Sequence, residues 1–485
     1  MKKSASLIIL SILLFSFVQK DKKTLAVFEQ IDSYVSSFHH TYQTLTLLTE
    51  NGHRLTGTSN GRNAEKLVYD ELVNNKLSTK FQEFETKAWA RKMVKLNVVP
   101  SNSDNYREVD AVALAHSPVA AKVNGVIVDC GDGLASDFGL INDLHGKVAL
   151  FNIGIRNPKN QGQKNLHRSE KTALAIAKGA SGAIIVNGVE GGVLLTGTAS
   201  VTGELIPIPA VCISLESGAM IRKWIEDEKN IEADIDMLNT FKPVTARNII
   251  AAYPPSSKNN NEVIVVGAHL DSWDLATGAV DNGLGASTVI ELAKLFKRLK
   301  LKTKRPIQFV LFMGEEQGLL GSKHYVAQAI ENKTIGNIAL MMNMDMLNDT
   351  KGFNSFGNSE LQDLIEKTSE MILKTDSSYK NQHSKSFGLH SDHQPFMLAG
   401  VNILCPAGRL SKETLNCYHA DCDNINLVVP EELENNLRYC AMMLYALANT
   451  PALPKQKTSD ETRDYLILNG LKDELVLGKE WKWSN

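Results

Sequence analysis

The sequence predicts an α/β protein with a mixed, mostly parallel central sheet flanked by helices, into which a second, smaller α/β domain is inserted. After Phe241, uninterrupted apolar segments alternate with amphipathic helical segments, a pattern typical of strands buried on both faces of a parallel sheet. Between about residues 110 and 236 the apolar segments are shorter and separated by turns, which indicates a compact unit of its own. The chain has 485 residues, 43% hydrophobic and 22% charged, as expected for folded domains rather than a disordered chain.

The elements can be followed in order along the chain. Residues 25 to about 77 have a helical period, and a strand is expected at about 93–99. In the inserted unit the pattern predicts strands at 123–128, 147–152, 183–186 and 209–214 and helices at 170–178 and 217–224. In the larger domain it predicts strands at 263–266, 307–312, 338–342 and 401–404 and helices at 286–299 and 430–447.

These segments divide the chain into five parts. They are a signal peptide over residues 1–19, the N-terminal part of the larger domain over 24–110, the inserted domain over 111–238, the main part of the larger domain over 239–452 and a tail over 453–485. The tail has only a weak helical pattern.

The N-terminus predicts export. Lys2 and Lys3 precede an uncharged, largely apolar stretch from Ser4 to Val18, which is shorter than the roughly 20 residues that span a bilayer. The small-residue pattern of a cleavage site is poor, so an uncleaved anchor is the alternative. We therefore expect a periplasmic or secreted protein with no integral membrane span beyond such an anchor.

Charge and cysteine content exclude several classes of partner and site. Lys and Arg number 52 against 54 Asp and Glu, a net charge of −2, whereas a nucleic-acid-binding surface requires a basic excess. None of the six cysteines forms a C-x-x-C pair, which argues against a thiolate zinc site. The oligomeric state stays open, a homodimer included.

Chemically informative residues follow the predicted strands of the larger domain. His269 and Asp271 come directly after its first strand, where an imidazole can bind a metal while the carboxylate holds its second nitrogen. Asp281 lies in a glycine-rich run before a helix, where a lone carboxylate would otherwise be an N-cap. Glu315 and Glu316 follow the next strand. One of two adjacent carboxylates can bind a metal while the other takes a proton from its water, and a solvated acidic turn is the alternative.

Two further segments complete this set. Asp345 ends an apolar strand and needs a partner, since an unpaired buried carboxylate would cost several kcal/mol. His419 follows Tyr418 and has a carboxylate four residues further on, but taken alone it would be an ordinary structural or surface histidine. Together these segments supply two histidines and three carboxylates as ligands and one spare glutamate. This is enough for two zinc ions that share a carboxylate.

The order of these motifs resembles that of the co-catalytic zinc aminopeptidase and glutamate carboxypeptidase family of exopeptidases. The resemblance rests on the sequence GAHLDSWD at 267–274, the glutamate pair, the strand-end aspartate and the Tyr-His pair, and it covers roughly residues 28–450. It implies a zinc exopeptidase fold, a protease-associated-type inserted domain and a peptide substrate. The ligands that it implies for two Zn²⁺ ions are the bridging Asp281, then His269 and Asp345 at one ion, and Glu316 and His419 at the other.

The resemblance also implies the remaining catalytic roles. Glu315 is the expected general base, and Asp271 the group that orients His269. A water shared by two zinc ions would be acidic enough for Glu315 to take its proton and pass it to the leaving amine. Tyr418 is a candidate donor to the oxyanion, although a tyrosine beside a ligand is also a common packing residue. We therefore expect a zinc-dependent exopeptidase that hydrolyses dipeptides or terminal peptide bonds.

Two departures from the family pattern leave the substrate open. The sequence SDHQPF at 391–396 resembles the aminopeptidase members more than the carboxypeptidases, and Asn282 stands where many relatives carry a second acidic residue. An aminopeptidase acting on longer peptides is therefore one alternative. The others are a glutaminyl cyclase-like transferase with one zinc and a catalytically silent binding protein, against which the retained Glu315 and the complete ligand set argue. His390 and His393 are expected in the pocket wall or at its gate rather than among the ligands, since the five ligand positions are filled.

A free substrate carboxylate would need a basic partner. Arg409 and Lys412 are the nearest candidates in sequence to the Tyr-His pair, and a solvated loop is the alternative.

The cysteines near His419 raise a second local question. Cys417 and Cys422 bracket this histidine and could form a disulfide if their Cα atoms come within about 7 Å. Cys405 and Cys440 are competing partners, and two buried free thiols are the other outcome.

Overall fold

The computed structural model describes residues 21–100, 106–228, 230–256 and 261–484. The predicted signal peptide, residues 1–19, lies outside this part of the chain. Within the described residues, no helix is both long enough and apolar enough to cross a membrane.

The described strands belong to one sheet with 13 strands. In chain order they are β1 (Ser78–Pro100), β2 (Arg107–Glu108), β3 (Ala111–Ala113), β4 (Ala120–Asp129), β5 (Val148–Asn152), β6 (Gly182–Val186), β7 (Ala210–Ile213), β8 (Ile231–Tyr253), β9 (Val263–His269), β10 (Ile307–Phe312), β11 (Ile338–Asn343), β12 (Gly352–Asn354) and β13 (Asn402–Ala407).

Helices cover both faces of this sheet. They are α1 (21–36), α2 (His40–Thr49), α3 (Ser59–Asn74), α4 (Ala135–Gly139), α5 (Arg168–Ala177), α6 (Leu215–Glu228), α7 (Leu284–Arg298), α8 (Leu320–Glu331), α9 (Ser359–Thr375), α10 (His393–Leu398), α11 (Lys412–Asn416), α12 (Pro430–Asn449), α13 (Ser459–Leu468) and α14 (Lys472–Leu477).

The larger domain is built on the strand order β12-β13-β11-β9-β10-β8. Its central strands β13, β11, β9 and β10 are parallel, and β8 and β12 run antiparallel at the two sides. These central strands are apolar because both faces are covered, one by α7 and α12 and the other by α8 and α10. The carboxyl ends of β9, β10 and β11 therefore meet at one edge of the sheet.

The inserted unit continues the same sheet through the order β8-β4-β5-β6-β7-β3. Strands β4 to β7 are parallel, and they alternate with α5 and α6. A separate apolar core forms around Phe151, Ile185 and Cys212. The mixed, mostly parallel α/β architecture with an inserted α/β domain confirms the predicted fold class.

Strands β1 and β8 are much longer than the sequence pattern predicts. Each has 23 residues, and they pair in antiparallel fashion along their whole length, from Ser78 opposite Ala252 to Pro100 opposite Ile231. The pattern predicted only residues 93–99 of β1. Strand β8 also continues without interruption through positions 238 and 239, where the sequence places the end of the inserted domain.

The tail folds back onto the larger domain. Leu466, Leu471 and Leu475 of this segment are buried in the apolar cluster beneath α8 and α10. Glu474 forms an ion pair with Lys164 of the inserted unit, and its second oxygen lies 3.5 Å from Nε2 of His390. The tail thus contacts both parts of the molecule.

Candidate metal centre

Five predicted ligands come together where β9, β10 and β11 end. His269 is the last residue of β9, Glu316 follows β10 and Asp345 follows β11. Asp281 lies in the turn before α7, in a non-helical conformation. His419 comes after α11, and its backbone φ of 55° is in the left-handed region. Four of these side chains are buried, and Asp345 is 19% exposed.

Asp281 lies between the two imidazoles. Its Oδ1 is 3.2 Å from Nε2 of His269, and its Oδ2 is 2.9 Å from Nε2 of His419. Each imidazole has one further carboxylate, since Nε2 of His269 is 3.3 Å from Oδ1 of Asp345 and Nε2 of His419 is 3.2 Å from Oε2 of Glu316. The arrangement is two three-residue groups that share one aspartate.

The donor atoms fit a divalent cation. Ligand atoms of His269, Asp281 and Glu316 all lie within 4.8 Å of one another. Oε1 of Glu316 and Oδ1 of Asp345 are buried without a hydrogen-bond partner, although buried oxygens normally have one. Imidazole nitrogens and carboxylate oxygens are zinc ligands, and a cation would compensate the concentrated negative charge.

The pKa values of three of these ligands are shifted because several ionisable groups lie close together. Burial, together with the charge of Asp281, raises the pKa of Glu316 to about 7. Burial also opposes ionisation of Asp281, but hydrogen bonds with His269 and His419 hold its pKa below the usual range. Burial alone would lower the pKa of His269, whereas the neighbouring carboxylates, Glu315 first among them, raise it well above its usual value. The neighbouring groups thus shift the pKa values of these three ligands.

Glu315 lies next to the proposed ligands. Among the described residues, it forms no hydrogen bond with either imidazole. It lines the cavity above the centre together with Arg168 and Tyr418. Removal from bulk water raises the pKa of its carboxyl group well above the ordinary value. Its backbone N–H donates to Oδ1 of Asp271 at 3.2 Å, which fixes the turn after β10.

Asp271 contacts His269 mainly through its main chain. Nδ1 of His269 is 3.0 Å from the backbone carbonyl oxygen of Asp271 and 3.7 Å from its Oδ1. The carbonyl is therefore the hydrogen-bond acceptor that orients the ring, while the carboxylate accepts from Glu315 and from the hydroxyl of Thr56. The sequence placed the orienting contact on the carboxylate.

Asp423 and Asn282 hold the turn that carries Asp281, and the sequence did not predict either contact. The carboxylate of Asp423 accepts hydrogen bonds from the backbone N–H groups of Val280 at 2.7 Å and Asp281 at 3.0 Å. Asn282, joined to Asp281 by a cis peptide bond, donates through Nδ2 to the carbonyl of Met344 at 2.8 Å. A carboxylate four residues after a histidine was the only sequence signal for Asp423.

The loop around His419 is held on both sides. Cys417 and Cys422 form a disulfide with their Cα atoms 5.2 Å apart, so the bridged alternative is the one found. Cys405 and Cys440 are free thiols. The ring of Tyr418 stacks on that of His419 with centroids 3.8 Å apart, and it also lines the cavity.

The inserted unit reaches into the centre through Arg168. Nη2 of this arginine, at the start of α5, lies 3.0 Å from Nδ1 of His419, and its Nε is buried without a partner. Gly197 permits this approach, because a Cβ there would lie 1.8 Å from Nη2. No motif pointed to Arg168. Arg409 and Lys412, the candidates from sequence, are exposed and outside the cavity lining.

The two further histidines differ in position. His390 lines the cavity, with 55% of its side chain exposed. His393 is buried and outside the cavity lining, and its Nε2 is 3.0 Å from the carbonyl oxygen of Gly388. Neither lies among the ligand atoms described above.

Family models match both parts of the chain. Residues 248–444 match the model of peptidase family M28, and residues 114–221 match that of the PA domain. The chain therefore contains a hydrolase region similar to peptidase family M28 and a second region similar to the PA domain.

Curated relatives include both aminopeptidases and carboxypeptidases. Aminopeptidase YwaD of Bacillus subtilis is 26% identical over 435 residues, which cover 86% of each chain. Carboxypeptidase Q of Xenopus laevis is 26% identical over 312 residues, covering 64% of this chain and 65% of the relative.

Solved structures have the same architecture. BSAP, a zinc aminopeptidase from Bacillus subtilis, superposes with a TM-score of 0.64 at 25% identity, covering 87% of this chain and 98% of the other. A peptidase M28 precursor from Shewanella amazonensis gives a TM-score of 0.78 at 22% identity, covering 90% of this chain and all of the other.

Proposed function

We propose that the chain is a zinc-dependent exopeptidase that hydrolyses dipeptides or terminal peptide bonds with two Zn²⁺ ions. The observation that carries this proposal is the position of Asp281, with one oxygen on each imidazole and a further carboxylate beside each. Two groups that share one carboxylate suit two ions rather than one. The zinc aminopeptidase from Bacillus subtilis supports the choice of metal.

His269 and Asp345 would hold one ion, Glu316 and His419 the other, and Asp281 both. When bound there, the two ions would supply the Lewis acidity that lowers the pKa of a water molecule and polarises the scissile carbonyl. The backbone carbonyl of Asp271 keeps His269 in the tautomer with hydrogen on Nδ1, which leaves Nε2 free as a ligand.

Glu315 is the proposed general base. Its carboxylate lines the cavity beside the proposed ligands, where it can accept a proton from a water molecule. It takes a proton from the attacking water and passes it to the leaving amine. The turn fixed by Asp271 holds Glu315 at the cavity. Tyr418, in the same cavity wall, is the proposed donor to the carbonyl oxygen as negative charge develops.

Arg168 is the proposed partner of a free substrate carboxylate. It lines the cavity, and its buried Nε has no other partner. A guanidinium binds carboxylates well because its donors lie in one plane. An aminopeptidase acting on longer peptides is the second candidate, since the relative with the longer match is named an aminopeptidase.

We also propose that the protein is exported. The disulfide between Cys417 and Cys422 supports this, because such bonds persist in oxidising compartments. Cell fractionation tests it, and recovery of the protein only from the cytosol would contradict it.

A panel of peptides tests the proposed activity. Zinc-loaded protein should hydrolyse dipeptides and lose activity with a chelator, and metal analysis should give about two zinc ions per chain. Dipeptides blocked at the carboxyl terminus should be poor substrates. Efficient cleavage of these together with longer peptides would favour the aminopeptidase instead, and one zinc per chain would contradict the two-ion proposal.

A further inference from the structure

We infer that Arg54 is a positioning residue of the metal centre, which holds the loop that joins His269 to Asp281. This inference rests on the proposed function, since it treats these two residues as ligands. Arg54 lies between α2 and α3, far from the loop in sequence and outside the residues that match the peptidase family model. Its side chain is 1% exposed.

The guanidinium binds both ends of the loop. Nε donates to the carbonyl of Leu270 at 2.6 Å, next to His269. Nη1 donates to the carbonyl of Thr277 at 2.6 Å, and Nη2 to that of Gly278 at 2.8 Å, three residues before Asp281. A planar group with fixed donor directions thereby sets the distance between the two stretches of backbone.

The main chain near Arg54 adds two contacts to the same region. The backbone N–H of Arg54 donates to Oγ of Ser272 at 3.0 Å, inside the loop. Two residues on, the hydroxyl of Thr56 donates to Oδ2 of Asp271 at 3.3 Å, and its carbonyl accepts from Gln317 at 3.4 Å. The segment from Arg54 to Thr56 therefore joins the loop after β9 to the turn after β10.

The charge of Arg54 is balanced by nearby carboxylates. Burial lowers the pKa of Arg54, and the nearby carboxylates of Asp423 and Asp271 oppose that shift. Arginine remains protonated in proteins, so a positive charge lies behind a group of carboxylates. The same charge would repel a metal ion, and the carbonyl contacts rather than the charge carry the inference.

Arg305 provides a matched control. It is also 1% exposed and also donates to backbone carbonyls, those of Leu447 at 3.4 Å and Thr450 at 2.7 Å. It precedes β10, at the opposite end of that strand from Glu315. Loss of either arginine should lower stability, because each leaves buried carbonyls unsatisfied. Only loss of Arg54 should alter the metal centre.

The experiment measures zinc affinity by competition with a chromogenic chelator for wild-type protein and for Arg54→Met, Arg54→Lys and Arg305→Met. Circular dichroism verifies folding, and the thermal midpoint of each metal-free protein records stability. We expect Arg54→Met to bind zinc at least about tenfold more weakly, as found when outer contacts of metal ligands are removed. Arg54→Lys should recover part of the affinity, and Arg305→Met should bind like wild type despite a lower midpoint.

Wild-type affinity in both Arg54 variants would overturn the inference, as would equal weakening in Arg305→Met. If Arg54→Met does not fold, the zinc affinity of Arg54→Lys tests the inference. Lysine keeps the positive charge but cannot donate to all three carbonyls, so this variant should bind zinc more weakly than wild type. A wild-type protein that binds no zinc would refute the proposed function itself. The two failures are therefore distinguishable.

Discussion

Arg168 and His419 meet across the junction between the PA domain and the peptidase domain, with Nη2 of the arginine 3.0 Å from Nδ1 of the histidine. The contact brings a cation from one domain to a proposed metal ligand of the other. The cavity over the centre is thus lined by both domains.

We expect Arg168→Ala to raise KM for dipeptides with a free carboxylate by about ten- to a hundredfold. The reason is that a hydrogen bond to a charged group contributes about 1.5–3 kcal/mol, and 1.4 kcal/mol is a factor of ten in affinity. Steady-state kinetics measure the change. Arg409→Ala, at an exposed position, should leave KM within about twofold, and an unchanged KM in Arg168→Ala would place carboxylate recognition elsewhere.

Glu315→Gln should lower kcat by about 10²- to 10⁴-fold while zinc content stays the same, because the variant cannot accept the proton. Glu316→Gln should lose zinc as well as activity. Single-turnover kinetics and elemental analysis of the same samples separate the two effects. Loss of zinc from Glu315→Gln with zinc retained in Glu316→Gln would exchange the roles of the two residues.

The double variant Cys417→Ser and Cys422→Ser should release zinc to a chelator several-fold faster than wild type. The disulfide holds the loop that presents His419, and a more mobile loop positions its imidazole less well. Stopped-flow absorbance measures the release. Cys130→Ser, in the PA domain, is the control, and equal release rates in all three proteins would refute a role for the disulfide.

Stability should fall as pH drops from about 6.5 to 4, in part through His116. Burial lowers the pKa of this imidazole to about 4 in the folded protein, against about 6.5 when unfolded. In that interval the unfolded chain binds a proton that the folded chain does not, so the linked loss is at most ~3 kcal/mol.

Urea unfolding at several pH values tests this prediction. His116→Asn keeps a side chain that tolerates the positive φ of 67° and removes the titration. It should lose less stability between pH 7 and pH 4 than wild type does. A pH dependence in His116→Asn that runs parallel to that of wild type would exclude His116 as a source of it.

The sequence predicted the strands of the peptidase domain well because each is a continuous apolar run. The strand predicted at residues 307–312 coincides with β10, and the polar residues after β9, β10 and β11 converge because parallel strands end at one edge of the sheet. The proximity of Asp281 to both histidines follows from that topology. The roles of the individual residues stay predictions.

Residues that act through long-range contacts could not be predicted in this way. Arg168 and Arg54 reach the centre from other parts of the chain, and an arginine carries no local pattern that reveals its partner. Strands β1 and β8 contain charged and polar residues where they are exposed, which interrupts their hydrophobic pattern. Their backbone pairing nevertheless continues through these positions. In the tail, α13 and α14 depend on burial of a few leucines against the larger domain.

The long pairing of β1 with β8 also determines where the chain could be divided into separate domains. Residues 232–238 of β8 pair with β4 of the inserted unit, while residues 249–253 of the same strand pair with β10. One uninterrupted strand therefore belongs to the cores of both domains. A gene fragment that ends at position 238 would divide this strand and leave unpaired backbone groups on each piece. The PA domain therefore could not be exchanged by itself between related proteins. Such an exchange would have to include both 23-residue strands, β1 and β8.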